Sequence, residues 1–313
     1  MPESRSPQPT TIAVAVCTYQ RNEPLRRLLT AIERNAEQLG GRAAVGVVVV
    51  DDNPDGAARP VCDEYTSRFE LGLHYRSSGQ GNISVARNLA LETALPLAEW
   101  VAMTDDDCEP VDGWLAAYLD AHERFGADAL TGPCRLTPSP GAPRWLTDQP
   151  FLDDAQFRFD DGAPLTVGAT NNSFLPSKFL AAHERLRFDP ELGVVGGEDM
   201  VFFRRAVREG MAIRFAAHAE VLGHEPPERC GLGYQLRSRF WLGNTEFVTN
   251  HALGEASRIR WLARGARDLV AAVLRPLRQL ATAQPPQVRY ALARSARAVG
   301  LIAGAVGIRV AHH

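Results

Sequence analysis

The chain has 313 residues, 45% hydrophobic and 23% charged, with a net charge of −3; this excludes disorder over most of its length and allows one large domain or two tightly joined halves. Its five cysteines (17, 62, 108, 134 and 230) form no CxxC pair, which argues against a disulfide framework or a cysteine-built zinc site and suits a reducing compartment. No apolar run approaches the ~18 residues of a membrane span, and MPESRSPQPT carries no signal-peptide core, so neither spanning nor secretion is expected.

Residues 1–10 read as a polar, disordered tail. Thr11–Cys17 and Val45–Val50 are apolar runs rich in β-branched residues, predicted to be buried parallel strands. Between them Leu25, Leu28, Leu29 and Ile32 recur at helical spacing behind Pro24, which predicts a helix over Glu23–Leu39. Strand, helix and strand in this order are the βαβ signature of a doubly wound sheet. The pattern continues with a strand at Leu71–Tyr75, a helix at Ser84–Leu95, a strand at Trp100–Thr104, a helix at Trp114–Phe125 and a strand at Ala127–Cys134. Prolines 138, 140, 143, 150 and 164 predict an irregular loop over 137–165. Val201–Glu209 reads as a helix and Ile213–Ala216 as a short strand. Beyond 250 the pattern is helical, with breaks expected at Pro276 and at Pro285-Pro286.

Two of the strands run into acids: VVVV into Asp51-Asp52, and VAMT into Asp105-Asp106-Asp107. Ligands of open α/β sheets bind beyond the carboxyl ends of the strands. Crowded carboxylates repel unless a cation or donor groups neutralise them. A hard divalent ion completed by substrate phosphates does this, whereas single acids at such places also cap helices and turns. Asp51-Asp52 leaves both readings open; the triplet favours the metal–phosphate one.

VAVCTYQR (14–21), VVVVDDN (47–53), GNISVARN (81–88), MTDDDCEP (103–110) and GVVGGEDMVFFRRAVREG (193–210) occur in the order of the family 2 glycosyltransferases, which the chain resembles over about residues 11–225. The wording of CTYQR, GNISVARN and DDDCEP is most similar to the bacterial exopolysaccharide branch, including succinoglycan-type glucosyltransferases. The resemblance implies an α/β GT-A fold, a Rossmann-like, doubly wound mixed sheet with a C-terminal helical extension. The GT-A domain would span 11–250, with a nucleotide-binding half at 11–108 and an acceptor half at 109–250, followed by a basic helical extension at 251–313. It also implies an inverting, metal-dependent enzyme that moves a hexose from a UDP-sugar to a hydroxyl acceptor, a saccharide or lipid-linked saccharide. Such an enzyme would work in cell-surface polysaccharide or glycoconjugate synthesis, in the cytoplasm or peripherally on the inner membrane face.

Carried over residue by residue, the resemblance assigns Cys17, Thr18, Tyr19, Arg21 and Asp52 to the nucleotide base and ribose. A carboxylate accepts the N3–H of uracil, which cytosine lacks, so Asp52 points to UDP. Arg87 and Asn88 lie near the donor, with Arg87 bonding the diphosphate or pairing with the acidic rim. GNISVARN is no dinucleotide loop, because Ser84 stands at its third glycine. Asp105 and Asp106 face the nucleotide-sugar, and Asp107 holds Mn²⁺ or Mg²⁺, which bridges the two phosphates. Asp199 is the general base and Glu198 touches the acceptor, although acids at a helix start are also explained by charge complementarity alone. His224 completes the metal site or is structural; the remaining histidines, His312-His313 included, form no constellation. Asn171 and Asn172 bond a sugar hydroxyl or hold a turn, and Trp145 stacks on an acceptor sugar or is a buried anchor.

A sugar-phosphate nucleotidyltransferase would carry a glycine-rich basic loop where CTYQRNEP stands; a non-catalytic nucleotide-sugar-binding protein would not need Asp107 and Asp199. From 251 onward ten arginines face only Glu255 and Asp268, a balance of +8 that leaves −11 for the first 250 residues. Residues 257–310 therefore read either as helices on an anionic membrane surface or as helices packed on the protein or a second subunit. Nucleic acid is not expected, since no aromatic platforms interleave with the charge.

Overall fold

The computed structural model describes residues 9–153, 158–255 and 257–311; the expected tail, apart from residues 9 and 10, and the pair His312-His313 lie outside them. The first apolar run forms β1 (Thr10–Thr18), followed by α1 (Asn22–Gln38) and β2 (Ala43–Asp51). β1 and β2 pair in parallel from Thr10 opposite Ala43 to Thr18 opposite Asp51. A short α2 (Arg59–Asp63) leads to β3 (Leu73–Ser77). This strand starts two residues later than the apolar pattern predicts, because Gly72 has a left-handed φ of +79°. α3 (Ile83–Ala94), β4 (Trp100–Asp105), β5 (Cys108–Pro110) and α4 (Trp114–Phe125) follow.

The single strand expected at Ala127–Cys134 is two, β6 (Ala129–Thr131) and β7 (Cys134–Pro138). They part at Gly132-Pro133, where proline has no N–H for a ladder and its carbonyl accepts from the Val221 amide at 3.0 Å. α5 (Arg144–Thr147) lies inside the expected loop, and β8 (Pro164–Leu165), β9 (Asn172–Pro176), α6 (Ser177–Ala182), α7 (Glu198–Arg208), β10 (Ile213–Phe215) and β11 (Val221–Glu225) complete this part of the chain.

Eight strands form one mixed sheet in the order β3-β2-β1-β4-β9-β6-β10-β8. β3, β2, β1 and β4 are parallel, β9 runs antiparallel to both β4 and β6, β10 is parallel to β6, and β8 is antiparallel to β10. Alternation along β1 sends Val14 and Val16 into one layer with Leu28, Ile32, Trp114 and Tyr118. Ala13 and Ala15 face the other layer, with Leu91, Phe188, Phe202 and Phe203. Burial on both faces is why these strands read as unbroken apolar runs. The parallel arrangement brings the carboxyl ends of β1, β2 and β4 to one sheet edge, with Thr18 opposite Asp51 and Cys17 opposite Asp105.

The chain divides into two compact units, one of residues 1–135, 157–190 and 202–223, the other of 136–156, 191–201 and 224–313. The eight-stranded sheet belongs to the first. The second contains α8 (Leu232–Ala252), α9 (Arg258–Ala281) and α10 (Val288–Ala305). α8 and α10 meet backbone to backbone: a Cβ on Gly243 would collide with the Arg297 carbonyl, and one on Gly300 with that of Phe240. Glu246 on α8 holds both Arg264 of α9 (2.7 Å) and Arg297 of α10 (3.1 Å). Pro276 does not break α9; the break comes between 281 and 288. An interior proline removes one hydrogen bond and crowds a carbonyl, a penalty of about 3 kcal/mol; α9 packs closely on α10 elsewhere, where a Cβ on Gly265 would meet Leu301 and Ile302. Trp145 is an anchor within this unit: its ring meets Phe151 edge-on at 5.1 Å and lies under Arg289 at 5.5 Å. No helix of the described residues is long and apolar enough to cross a membrane.

Candidate active site

At the end of β2 both acids bond groups of neighbouring loops. Asp51 is inaccessible; its Oδ1 accepts from the Asn53 amide (3.0 Å) and its Oδ2 from the Ala58 amide (2.7 Å) and the Tyr75 hydroxyl (3.2 Å). It shapes the 53–58 turn; burial, with the Asp51 charge beside it, pushes the Tyr75 phenol up to about 12. Asp52 turns the other way. Its Oδ1 accepts from the Ser78 hydroxyl (2.8 Å) and the Gln80 amide (3.0 Å), leaving Oδ2 outside these two bonds. Ser78 and Gln80, which set this orientation, follow β3 and carry no sequence signal that marks them.

The triplet after β4 meets two arginines. Arg21, the residue before α1, bridges Asp106 and Asp107 at 2.9 Å each, and Thr18 donates to the other Asp106 oxygen at 2.8 Å. Burial, against the pull of Arg21, pushes the Asp106 carboxyl up to about 6. Arg87, buried on α3, reaches Asp105 at 3.1 Å. Both acid clusters therefore have protein partners, and repulsion within them is no argument by itself for a cation. Cys17 is buried beneath the triplet, and burial pushes its thiol up to about 12. Tyr19 is half-exposed at the end of β1. Among the described residues no three His, Cys, Asp or Glu side chains cluster as a metal cage.

Two asparagines have structural work. Asn88 takes the Phe188 amide (2.9 Å) and donates to the Phe188 carbonyl (2.8 Å), strapping α3 to the 183–190 segment. Asn172 is inaccessible: its carbonyl accepts from Trp114 Nε1 (2.9 Å) and the Tyr118 hydroxyl (2.6 Å), and its amide donates to Pro133 O (2.9 Å) and Ala219 O (2.6 Å). Of the two roles open to Asn172, sugar contact is excluded, because all four of its hydrogen-bonding positions are filled.

Glu198 and Asp199 belong to the second unit, in the first turn of α7. Ahead of them Gly196 and Gly197 have φ of +90° and +87°, which L side chains rarely adopt. Both press on α8: a Cβ on Gly196 would collide with the Trp241 ring, and one on Gly197 with Thr249 Oγ1 and, at 2.8 Å, Thr245 Cγ2. The Val195 carbonyl accepts from Trp241 Nε1 (2.8 Å) and Thr245 Oγ1 (3.3 Å), so α8 fixes where α7 begins. Glu198 is buried and Asp199 partly so, with Asp199 Oδ1 bonded to the Met200 amide at 2.7 Å. His224, on β11, opens the last segment of the same unit.

Comparison with known proteins gives three findings. The family described as "Glycosyl transferase family 2" matches residues 13–209. The succinoglycan biosynthesis protein ExoM of Rhizobium meliloti (strain 1021) is 31% identical over 235 residues, 75% of this chain and 73% of that protein. Among solved structures, S. aureus TarS 1-349 in complex with UDP superimposes with a TM-score of 0.53 at 16% identity, over 93% of this chain and 90% of its own, and its UDP-GlcNAc complex gives 0.54 over the same shares. GalNAc-T7 with UDP, GalNAc and Mn²⁺ gives 0.53 at 15% identity, over 78% of this chain and 50% of that one. The mixed sheet is that of the GT-A glycosyltransferases.

Proposed function

The chain belongs to glycosyl transferase family 2 and is a glycosyltransferase, and from that premise we propose that it moves a hexose, with inversion and with a divalent metal, from a UDP-sugar to a hydroxyl of a saccharide or lipid-linked saccharide. The observation that carries this reading is the sheet edge where β1, β2 and β4 end together, gathering Asp52, Asp105, Asp107 and two arginines. The likeness to a succinoglycan biosynthesis protein supports polysaccharide synthesis as the setting, and structural neighbours solved with UDP and UDP-GlcNAc support the donor. A lipid-linked acceptor accords with work at the inner membrane face, with the basic helices of 257–310 toward an anionic surface. Nucleotidyl transfer and non-catalytic binding are set aside with the family assignment.

In this reading Asp52, steadied by Ser78 and Gln80, accepts the N3–H of uracil, and Thr18, Tyr19 and the β1 end at Cys17 border the base and ribose. Arg21 and Arg87 supply cationic donors for a diphosphate, Asp105 and Asp106 complete the rim, and Asn88 holds α3 in place. Asp107 fits a hard divalent ion: it offers carboxylate oxygens, its side chain is 24% exposed, and its partner Arg21 occupies a cation's place. Since no cage of protein ligands is found among the described residues, the ion would take its other ligands from phosphate oxygens, with His224 as a further candidate. When bound, Mn²⁺ or Mg²⁺ supplies charge neutralisation to the departing UDP. Asp199 accepts the acceptor hydroxyl proton as that oxygen bonds to the anomeric carbon and the bond to UDP breaks, while Glu198 orients the acceptor.

The test is thermal stability of the purified protein with nucleoside diphosphates and Mn²⁺, Mg²⁺ or EDTA. A ligand at a hundred times its Kd adds about 2.7 kcal/mol to the folded state. UDP is expected to stabilise only with metal, and Asp107→Ala to abolish this metal-stimulated stabilisation; unchanged metal dependence in the variant would overturn Asp107 as the ligand. Stabilisation by a different nucleotide would replace UDP as donor, and no response to any would overturn the donor-site reading of this edge.

A further inference from the structure

The tail helices divide in a way composition does not reveal. α10 is packed mainly inside the second unit: Tyr290, Ala293, Gly300, Leu301 and Gly304 are all buried, Arg297 is held by Glu246, and its exposed apolar residues are the three at Val288, Leu292 and Val299. α9 is anchored along a narrow strip that includes Gly265 and Ala272, its only fully buried residues. At about 100° per residue, Ile259, Val270, Val273, Leu274, Leu277 and Leu280 fall in one continuous arc on the outer side. All are exposed, Ile259 by 81%, Leu277 by 62% and Val273 by 60%. Arg260, Arg267 and Arg278 fall along one edge of that arc, all exposed. Arg264 turns instead to Glu246, and Arg275 to Gln287. The helix has a single acid, Asp268, bonded to Arg267 at 2.8 Å.

We propose that α9 is a membrane foot: it lies flat on an anionic bilayer, its outer arc entering the acyl boundary and Arg260 and Arg278 meeting lipid phosphates. This deepens the membrane-facing part of the function above and rests on that reading. A helix of 24 residues is about 36 Å long, but its buried strip and arginine edge suit a position in the interface and not across it. Charge decides between a bilayer and a second copy of the chain. A copy docked antiparallel and face to face would set arginine edge near arginine edge, and in either orientation α9 has no unengaged acid to answer them. An anionic bilayer offers an apolar layer and negative charge on the same side. α10 has no part in the foot, so contact across 257–310 narrows to 258–281.

The experiment is co-sedimentation of the full chain with phosphatidylcholine vesicles with and without phosphatidylglycerol. Sedimentation is expected only with the anionic lipid and is expected to weaken with salt. Val273→Glu with Leu277→Glu should reduce it about tenfold or more, and Arg260→Gln with Arg278→Gln should remove much of the preference for anionic lipid. Leu292→Glu, at an exposed site on α10, should change nothing. Circular dichroism and UDP-dependent stabilisation are measured on each variant. Variants that keep both but leave the vesicles locate the foot on α9. A wild-type chain that responds to UDP and ignores anionic vesicles overturns the foot and leaves the donor site standing; one that binds vesicles without responding to UDP does the reverse. A dimer in analytical ultracentrifugation that Leu277→Glu splits would assign this face to self-association and overturn the proposal.

Discussion

Asn172 and Asp199 show how differently single polar residues are used. Asn172 joins α4, through Trp114 and Tyr118, to the carbonyls of Pro133 and Ala219. Asn172→Ala would strand these groups out of reach of water, and we expect a loss of about 3–5 kcal/mol in urea unfolding. Asp199 is expected to act in chemistry, so Asp199→Asn should leave the melting temperature nearly unchanged. The same substitution should cut turnover by about 10²–10⁴-fold while UDP binding, followed by calorimetry, persists. If UDP binding falls with turnover, Asp199 is not the base. The sequence could name both residues but not sort them, because Asn172's partners lie up to 58 positions away.

At the scale of elements, the start of α7 depends on α8. The left-handed pair Gly196-Gly197 lets the backbone turn into the helix while touching Trp241, Thr245 and Thr249. Gly197→Ala violates both the φ requirement and the contact, and we expect about 1–3 kcal/mol of destabilisation. Turnover should fall further than stability accounts for, since Glu198 and Asp199 follow directly, whereas UDP-dependent stabilisation should remain. An unchanged kcat would separate this loop from catalysis. In the sequence GVVGGED marked the acids plainly, but the glycines showed only that a turn was near. β6 and β7 teach the same lesson: the apolar run over 127–134 could not show that Asn172 and Ala219 crowd Gly132.

For the whole molecule, the interlocked α8 and α10 predict the outcome of removing the tail. Truncation after residue 250 would uncover Gly243, Asn244 and Phe247 on α8 and take Tyr290 and Ala293 from the cluster of Leu146 and Phe151. We expect an aggregating second unit in size-exclusion chromatography; a soluble, cooperatively folded fragment would show α10 to be dispensable. The sequence by itself determined the α/β class, the parallel run of strands and the acids at their ends. Those signals are local, for strands buried on both faces must be continuously apolar and a helix must repeat its apolar stripe. Only the tertiary structure decided what each acid meets, as in Thr18 bonding Asp106 across 88 residues. It also decided which of two similar basic helices is mainly packed and which exposes the longer apolar arc. Burial and the long-range hydrogen bonds depend on what folding brings alongside, and for those bonds no short window of sequence contains both partners.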